Sequence, residues 1–127
     1  MARIYVADDQ DDILSSIERV LQRDGHEVHL FRDGQGLLAA VESDAPDLVM
    51  TDVYMPGMDG IELLIRLGDI EPSVPVIVIS GGGHTPKQFV LSEADHLGAA
   101  ALLSKPFEVQ TLRDTVQAVL TGSSWEG

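Results

Sequence analysis

Cysteine is absent from the 127 residues, which excludes disulfides and thiolate metal sites and fits a reducing compartment. No apolar run approaches the roughly 18 to 20 residues of a membrane span. The opening Met-Ala-Arg-Ile-Tyr-Val-Ala-Asp-Asp enters a strand directly instead of a signal peptide, so a cytoplasmic protein is expected, with no membrane partner. Basic residues are also few. Lys and Arg number 8 against 21 Asp and Glu, a net charge of −13, so the molecule as a whole repels a phosphate backbone and direct nucleic-acid binding is not expected. The acidity has two compatible readings, solubility and a cation site. There is no repeat, low-complexity tract or interdomain linker.

What is present is one core's worth of material: 44% of the residues are apolar in a chain of single-domain length. Short β-branched runs alternate with longer segments of helical period, the pattern of βα units around a parallel sheet, and five such units are counted. Arg3 to Ala7 reads as the first strand. A helix follows from about Asp11 or Asp12, with Ile13, Leu14, Ile17, Val20 and Leu21 on one face and Gly25 ending it. Val28 to Phe31 is the second strand, and Asp33-Gly34 turns into a helix carrying Leu37, Leu38 and Val41 that Pro46 stops.

Asp47 to Thr51 forms the third strand, ending on Asp52, and the helix beyond Met58 presents Ile61, Leu64 and Ile65. Val76 to Ile79 is apolar throughout, as a central parallel strand should be. The loop from Ser80 to His84 precedes a helix from Pro86 to about Leu97. Ala99 to Leu103 is the fifth strand, and a last helix sets Val109, Leu112, Val116, Val119 and Leu120 along one stripe. Residues 1–121 are thus expected as one domain and 122–127, with Trp125, as a flexible tail.

Strands of a parallel sheet bring their carboxyl ends to one edge, where ligand sites form. On that edge fall Asp8 and Asp9, Asp52, Ser80 and Lys105. Three carboxylates gathered together repel one another unless a cation joins them. Hard oxygen donors suit Mg²⁺, with Mn²⁺ as an alternative, and no His or Cys pair has zinc spacing. An Asp, a divalent ion, a hydroxyl and a lysine around one pocket could place a phosphoryl group on the carboxylate, with Asp52 as nucleophile.

The residues that carry this chemistry also carry a resemblance. Asp8-Asp9 after an apolar strand, Thr51-Asp52-Val53-Tyr54-Met55-Pro56-Gly57-Met58-Asp59-Gly60, Ser80-Gly81 and Lys105-Pro106-Phe107 together resemble response-regulator receiver domains over about residues 2 to 121. The resemblance implies a flavodoxin-like α/β fold, a doubly wound (βα)5 domain whose five-stranded parallel sheet runs in the order 2-1-3-4-5 with helices on both faces. It implies that Asp52 is the phospho-acceptor, that Asp9 and Asp52 bind Mg²⁺ directly with the Tyr54 backbone carbonyl as third protein ligand, and that Asp8 acts mostly through a water. Ser80 would close on the phosphoryl group, Lys105 would pair with it, and the Lys105-Pro106 peptide would be cis.

The implied function is Mg²⁺-dependent acceptance of a phosphoryl group from a histidine kinase or a histidine phosphotransfer protein. The product would switch the surface around the fourth helix, fifth strand and fifth helix, a self-phosphorylating acceptor and not a turnover enzyme. With no output domain after Leu120, the signal is expected to pass to another protein, or onward as a phosphoryl group; a homodimer through the fourth and fifth helices is a further expectation. The alternative is a phosphorylation-independent interaction module of the same fold.

Plainer readings stand beside these. Asp8 and Asp9 could cap the first helix, although Asp11 and Asp12 are better placed for that. Ser80 could be a turn former, the Gly81 to Gly83 run a hinge, and Met55 and Met58 loop packing. His26, His29, His84 and His96 have no partner spacing. Three departures from the family pattern bear on the switch: Leu102 stands where Tyr or Phe is frequent, Tyr54 is large two residues after the acceptor, and Gly82 has no side chain two residues after the hydroxyl. Tyr54 is expected to shield an acyl phosphate from water.

Overall fold

In the computed structural model, residues 1–70, 73–80 and 98–122 are described. Five strands form one parallel sheet: β1 (Arg3–Ala7), β2 (Glu27–Phe31), β3 (Leu48–Asp52), β4 (Val76–Ser80) and β5 (Ala101–Ser104). They are ordered β2-β1-β3-β4-β5, and every neighbouring pair is parallel. Among the described residues, four helices join or follow them: α1 (Asp11–Arg23), α2 (Gly34–Ser43), α3 (Gly60–Gly68) and α4 (Val109–Leu120). This is the flavodoxin-like arrangement. The expected helix from Pro86 to about Leu97, the Gly81 to Gly83 loop and Trp125 lie outside the described residues.

Alternation along the strands divides the core in two, because successive strand residues point to opposite faces. Ile4, Val6, Leu48, Met50, Ile77, Ile79, Ala101 and Leu103 face one layer, which α1 covers with Leu14, Ile17 and Leu21 and α4 with Leu112 and Val116. Tyr5, Ala7, Val49, Val76 and Val78 face the other layer, where α2 contributes Leu37 and Val41 and α3 contributes Leu63, Leu64 and Leu67. Both faces being covered, β3 and β4 are buried at every residue. That explains why their sequences lack polar alternation.

Helix ends follow local chemistry. Asp33 caps α2 by accepting from the Gly36 N–H at 2.7 Å, and Asp59 caps α3 by accepting from Glu62 N–H at 2.8 Å. Short polar side chains at this position satisfy N–H groups that have no partner inside the helix. Gly25 takes φ +88° after α1, as a helix-terminating glycine does.

Several expectations need correction. Ile65 is 49% exposed and Val109 57% exposed, so neither belongs to its helix's buried stripe. On α3 the buried positions are Gly60, Leu63, Leu64 and Leu67, a 3.6-residue period that leaves Ile65 facing away. Thr115 is buried in α4 although polar; its hydroxyl donates to the Thr111 carbonyl at 2.7 Å, so the group is satisfied within the helix. The fifth strand begins at Ala101, not Ala99. The third strand begins at Leu48, not Asp47, and the second at Glu27, not Val28. Neither Asp11 nor Asp12 caps α1: both lie in its first turn, and the cap position is Gln10.

Candidate functional site

The sheet order reverses direction between β1 and β3, where the chain departs to β2 on one side and returns past β1 on the other. A crevice opens at such a switch point, at the carboxyl ends of the strands. Asp8 and Asp9 follow β1 directly, and Asp52 ends β3. One carboxylate oxygen of each lies within 4.8 Å of the other two. Asp8 is fully buried and Asp52 is 5% exposed, whereas Asp9 is exposed.

Lys105, just past β5, supplies the cation. Its Nζ donates to Asp8 Oδ2 at 2.9 Å and to Gln10 Oε1 at 3.0 Å. Asp52 Oδ2 is farther away, at 3.5 Å. The lysine is held in place through its backbone, whose N–H donates to the Ser80 carbonyl at 2.8 Å; the Lys105-Pro106 peptide is cis. Asp8 is fixed from the other side, since the Gln10 N–H donates to its Oδ1 at 2.9 Å.

Asp52 is fixed by its own strand and the loop that follows. The Val53 N–H donates to Asp52 Oδ1 at 2.8 Å. Burial, and secondly the Asp8 charge, push the Asp52 carboxyl up to about 6, with Lys105 and the Val53 N–H pulling the other way. A carboxylate with that balance is ionised at neutral pH yet poorly solvated.

The loop from Val53 to Asp59 is tied back to the sheet. The Gly60 N–H donates to the Val53 carbonyl at 2.8 Å. Thr51 is wholly buried beneath it, with its hydroxyl donating to the Asp52 carbonyl at 3.0 Å. Met55 and Met58 are buried in the core layer shared with α2 and α3, which fits loop packing. Tyr54 is 45% exposed.

Ser80 ends β4 and is 6% exposed. Asp52 pairs in register with Ile79, so Ser80 sits one residue beyond the acid on the adjoining strand, opposite Ser104. Leu102 is half-buried and packs on the layer formed with α2 and α3, opposite Val78.

The structure therefore brings Asp8, Asp9, Asp52 and Lys105 into one cluster and places Ser80 on the same sheet edge. Two contributors were not singled out from sequence. Gln10 touches the lysine, and its signal was a weak capping residue in the cap position directly after an acidic pair. Gly60 abuts the Asp52 backbone, and only its place at the end of the Asp52 loop hinted at that. His26 and His29 lie elsewhere: His26 Nδ1 accepts from the Ala2 N–H at 3.1 Å, and His29 pairs with Glu27 at 2.7 Å.

Among the described residues, no helix is long and apolar enough to cross a membrane. Comparison with known proteins agrees with the geometry. The family profile described as "Response regulator receiver domain" matches residues 4–117. Sporulation initiation phosphotransferase F of Bacillus subtilis is 33% identical over 118 residues, covering 93% of this chain and 93% of that protein. Transcriptional regulatory protein FixJ of Bradyrhizobium diazoefficiens is 37% identical over 117 residues, covering 92% of this chain but 56% of its own length. The chain thus spans only about half of that larger regulator. Among solved structures, the chemotaxis response regulator CheY4 of Vibrio cholerae superposes with a TM-score of 0.84 at 30% identity, covering 94% of this chain and 98% of that one. A structure of FixJ-N gives a TM-score of 0.83 at 29% identity, covering 95% and 94%. With the profile spanning most of its length and the same sheet order beneath it, the chain belongs to the response regulator receiver domain family.

Proposed function

We propose that this receiver domain accepts a phosphoryl group on Asp52 from a phosphohistidine of a histidine kinase or a histidine phosphotransfer protein. The observation that carries the reading is the convergence of Asp8, Asp9 and Asp52 with the Lys105 ammonium at the sheet's switch point. In the reaction an Asp52 carboxylate oxygen attacks phosphorus, the P–N bond to the donor imidazole breaks, and the imidazole leaves with the electron pair and takes up a proton. The product on this chain is an acyl phosphate.

Three acids against one lysine leave a net negative pocket, and all donors are hard oxygens, so the residues present fit Mg²⁺, with Mn²⁺ as a substitute. Asp9, Asp52 and the Tyr54 carbonyl would hold the ion, with Asp8 acting through a water. When bound, the ion offsets charge on the phosphoryl oxygens. The chain's own residues do the rest. The buried pocket keeps Asp52 poorly hydrated, Lys105 is poised to pair with a phosphoryl oxygen, and Ser80 stands on the adjoining strand to donate its hydroxyl.

Phosphorylation would alter the surface around β5 and α4 and the segment between β4 and β5, and so control a downstream protein or onward transfer. A phosphorylation-independent role is less well supported, because Asp9, Asp52, Ser80 and Lys105 are all present together. The test is intact-mass measurement after exposure to phosphoramidate with Mg²⁺. One phosphoryl adduct, absent without the metal and absent in Asp52→Ala, is expected; an adduct that persists in Asp52→Ala would refute the assignment.

A further inference from the structure

Gln10 occupies the N-cap of α1 with extended backbone angles, φ −101° and ψ 113°, yet makes no side-chain cap hydrogen bond. Glutamine is not among the side chains that cap well, since short oxygen-bearing groups reach the helix N–H donors best. Its side chain is instead committed to Lys105, 95 residues away in sequence, whose Nζ it accepts at 3.0 Å. Lysine has donors only, so the amide atom facing it must be the oxygen.

The contact closes a small ring. The Gln10 N–H holds Asp8 Oδ1 at 2.9 Å, Asp8 Oδ2 accepts from Lys105 Nζ at 2.9 Å, and Lys105 returns to the Gln10 amide. Outside that ring, Asp52 Oδ2 forms an ion pair with the ammonium at 3.5 Å, longer than the usual N–H···O hydrogen bond. Two of the three ammonium N–H groups are thus engaged on the Asp8 side, and the ion pair with the attacking carboxylate is the longest of these three lysine contacts.

We propose that Gln10 is a positioning residue which, with Asp8, draws the Lys105 ammonium toward the Asp8 side and keeps its pairing with Asp52 long in the resting protein, so that the Asp52 oxygen can attack phosphorus. This rests on the assignment of Asp52 as acceptor. Without the amide oxygen, one ammonium N–H loses its protein partner on the Asp8 side, and the pull on the ammonium away from Asp52 weakens. Asp52 Oδ2 is the next carboxylate oxygen in reach among the described residues. Closing on it ties up the nucleophile, so attack slows.

The experiment compares full-length wild type, Gln10→Met and Gln10→Glu. Met keeps the length of the side chain without an acceptor, and Glu keeps an oxygen on the same stem. Two readouts are needed: the nitrogen-correlated NMR signal of the Lys105 ammonium at low temperature, assigned by its loss in Lys105→Arg, and the intact-mass time course with phosphoramidate and Mg²⁺. The expected result is an ammonium signal that shifts or broadens in Gln10→Met but is retained in Gln10→Glu, together with phosphorylation of Gln10→Met slowed about threefold to tenfold, the scale of one charge-assisted hydrogen bond.

A purely structural role for Gln10 would move melting temperature and leave the ammonium signal in place. An unchanged rate in Gln10→Met, an unchanged signal, or loss of the signal in Gln10→Glu overturns the inference while leaving the acceptor assignment standing. A wild-type protein that takes up no phosphoryl group overturns both.

Discussion

Gly60 and Asp52 meet backbone to backbone: a Cβ added at Gly60 would lie 2.1 Å from the Asp52 carbonyl oxygen and 2.9 Å from its carbonyl carbon. No side-chain rotation relieves that overlap, because the obstacle is main chain at the end of β3. We expect Gly60→Ala to destabilise the fold by about 3 kcal/mol and to displace the carboxylate from the cluster. Denaturant melts of the two proteins check this; equal midpoints would show that the loop can shift at no cost.

The raised Asp52 carboxyl has a stability consequence in divalent-free buffer. Unfolded, the group titrates at about 3.9; folded, burial first and Asp8 second raise it to about 6. The unfolded chain therefore binds fewer protons between those values, and stability falls as pH rises through that window. Above it the penalty is complete, and below the unfolded value it is absent. Asp52→Asn should then stabilise the chelated protein by about 2 kcal/mol at pH 7.5 and by almost nothing at pH 3.5, as thermal unfolding at the two pH values will show. A gain of equal size at both would contradict the electrostatic account.

Lys105→Met keeps the aliphatic stem and removes the ammonium. Asp8, fully buried, then keeps its Gln10 N–H but loses its cation. Breaking one side of a buried pair leaves an uncompensated charge, and a loss of about 3 kcal/mol is expected in chelating buffer. Added Mg²⁺ should recover part of it, because a divalent ion supplies the missing positive charge. If calorimetry finds Lys105→Met as stable as wild type without divalent ions, the lysine is not what balances Asp8.

Tyr54 stands two residues after Asp52 and is 45% exposed; the expectation is that its ring shields an acyl phosphate on Asp52 from water. We expect Tyr54→Ala to lose its phosphoryl group severalfold faster than wild type once the donor is removed, with little change in the rate of uptake. Decay of the intact-mass adduct measures this, and identical lifetimes would end the shielding idea.

Much of this was legible before any coordinates. The apolar run from Val76 to Ile79 marks a strand covered on both faces, and β4 is covered on both. Asp33 was legible only as part of a turn and Asp59 only as part of the motif after Asp52; that both cap helices came from the structure. The α3 stripe was harder to place, because Leu63, Leu64 and Ile65 are equally apolar and a one-residue change of phase separates the buried face from the exposed one. Ile65 was misassigned for that reason, and Val109, in the first turn of α4, similarly.

Sequence alone determined the order of strands and helices and the kinds of group gathered at one edge, since alternation, turn residues and the acids at strand ends are local properties of the chain. It also determined that the pocket would be short of positive charge. Only the tertiary structure decided that Asp8 is the buried acid and Asp9 the exposed one, that Gln10 reaches Lys105, and that Gly60 admits no side chain. Those facts depend on distances between segments far apart along the chain, where packing fixes separations to a few tenths of an ångström and no periodicity within a segment records them.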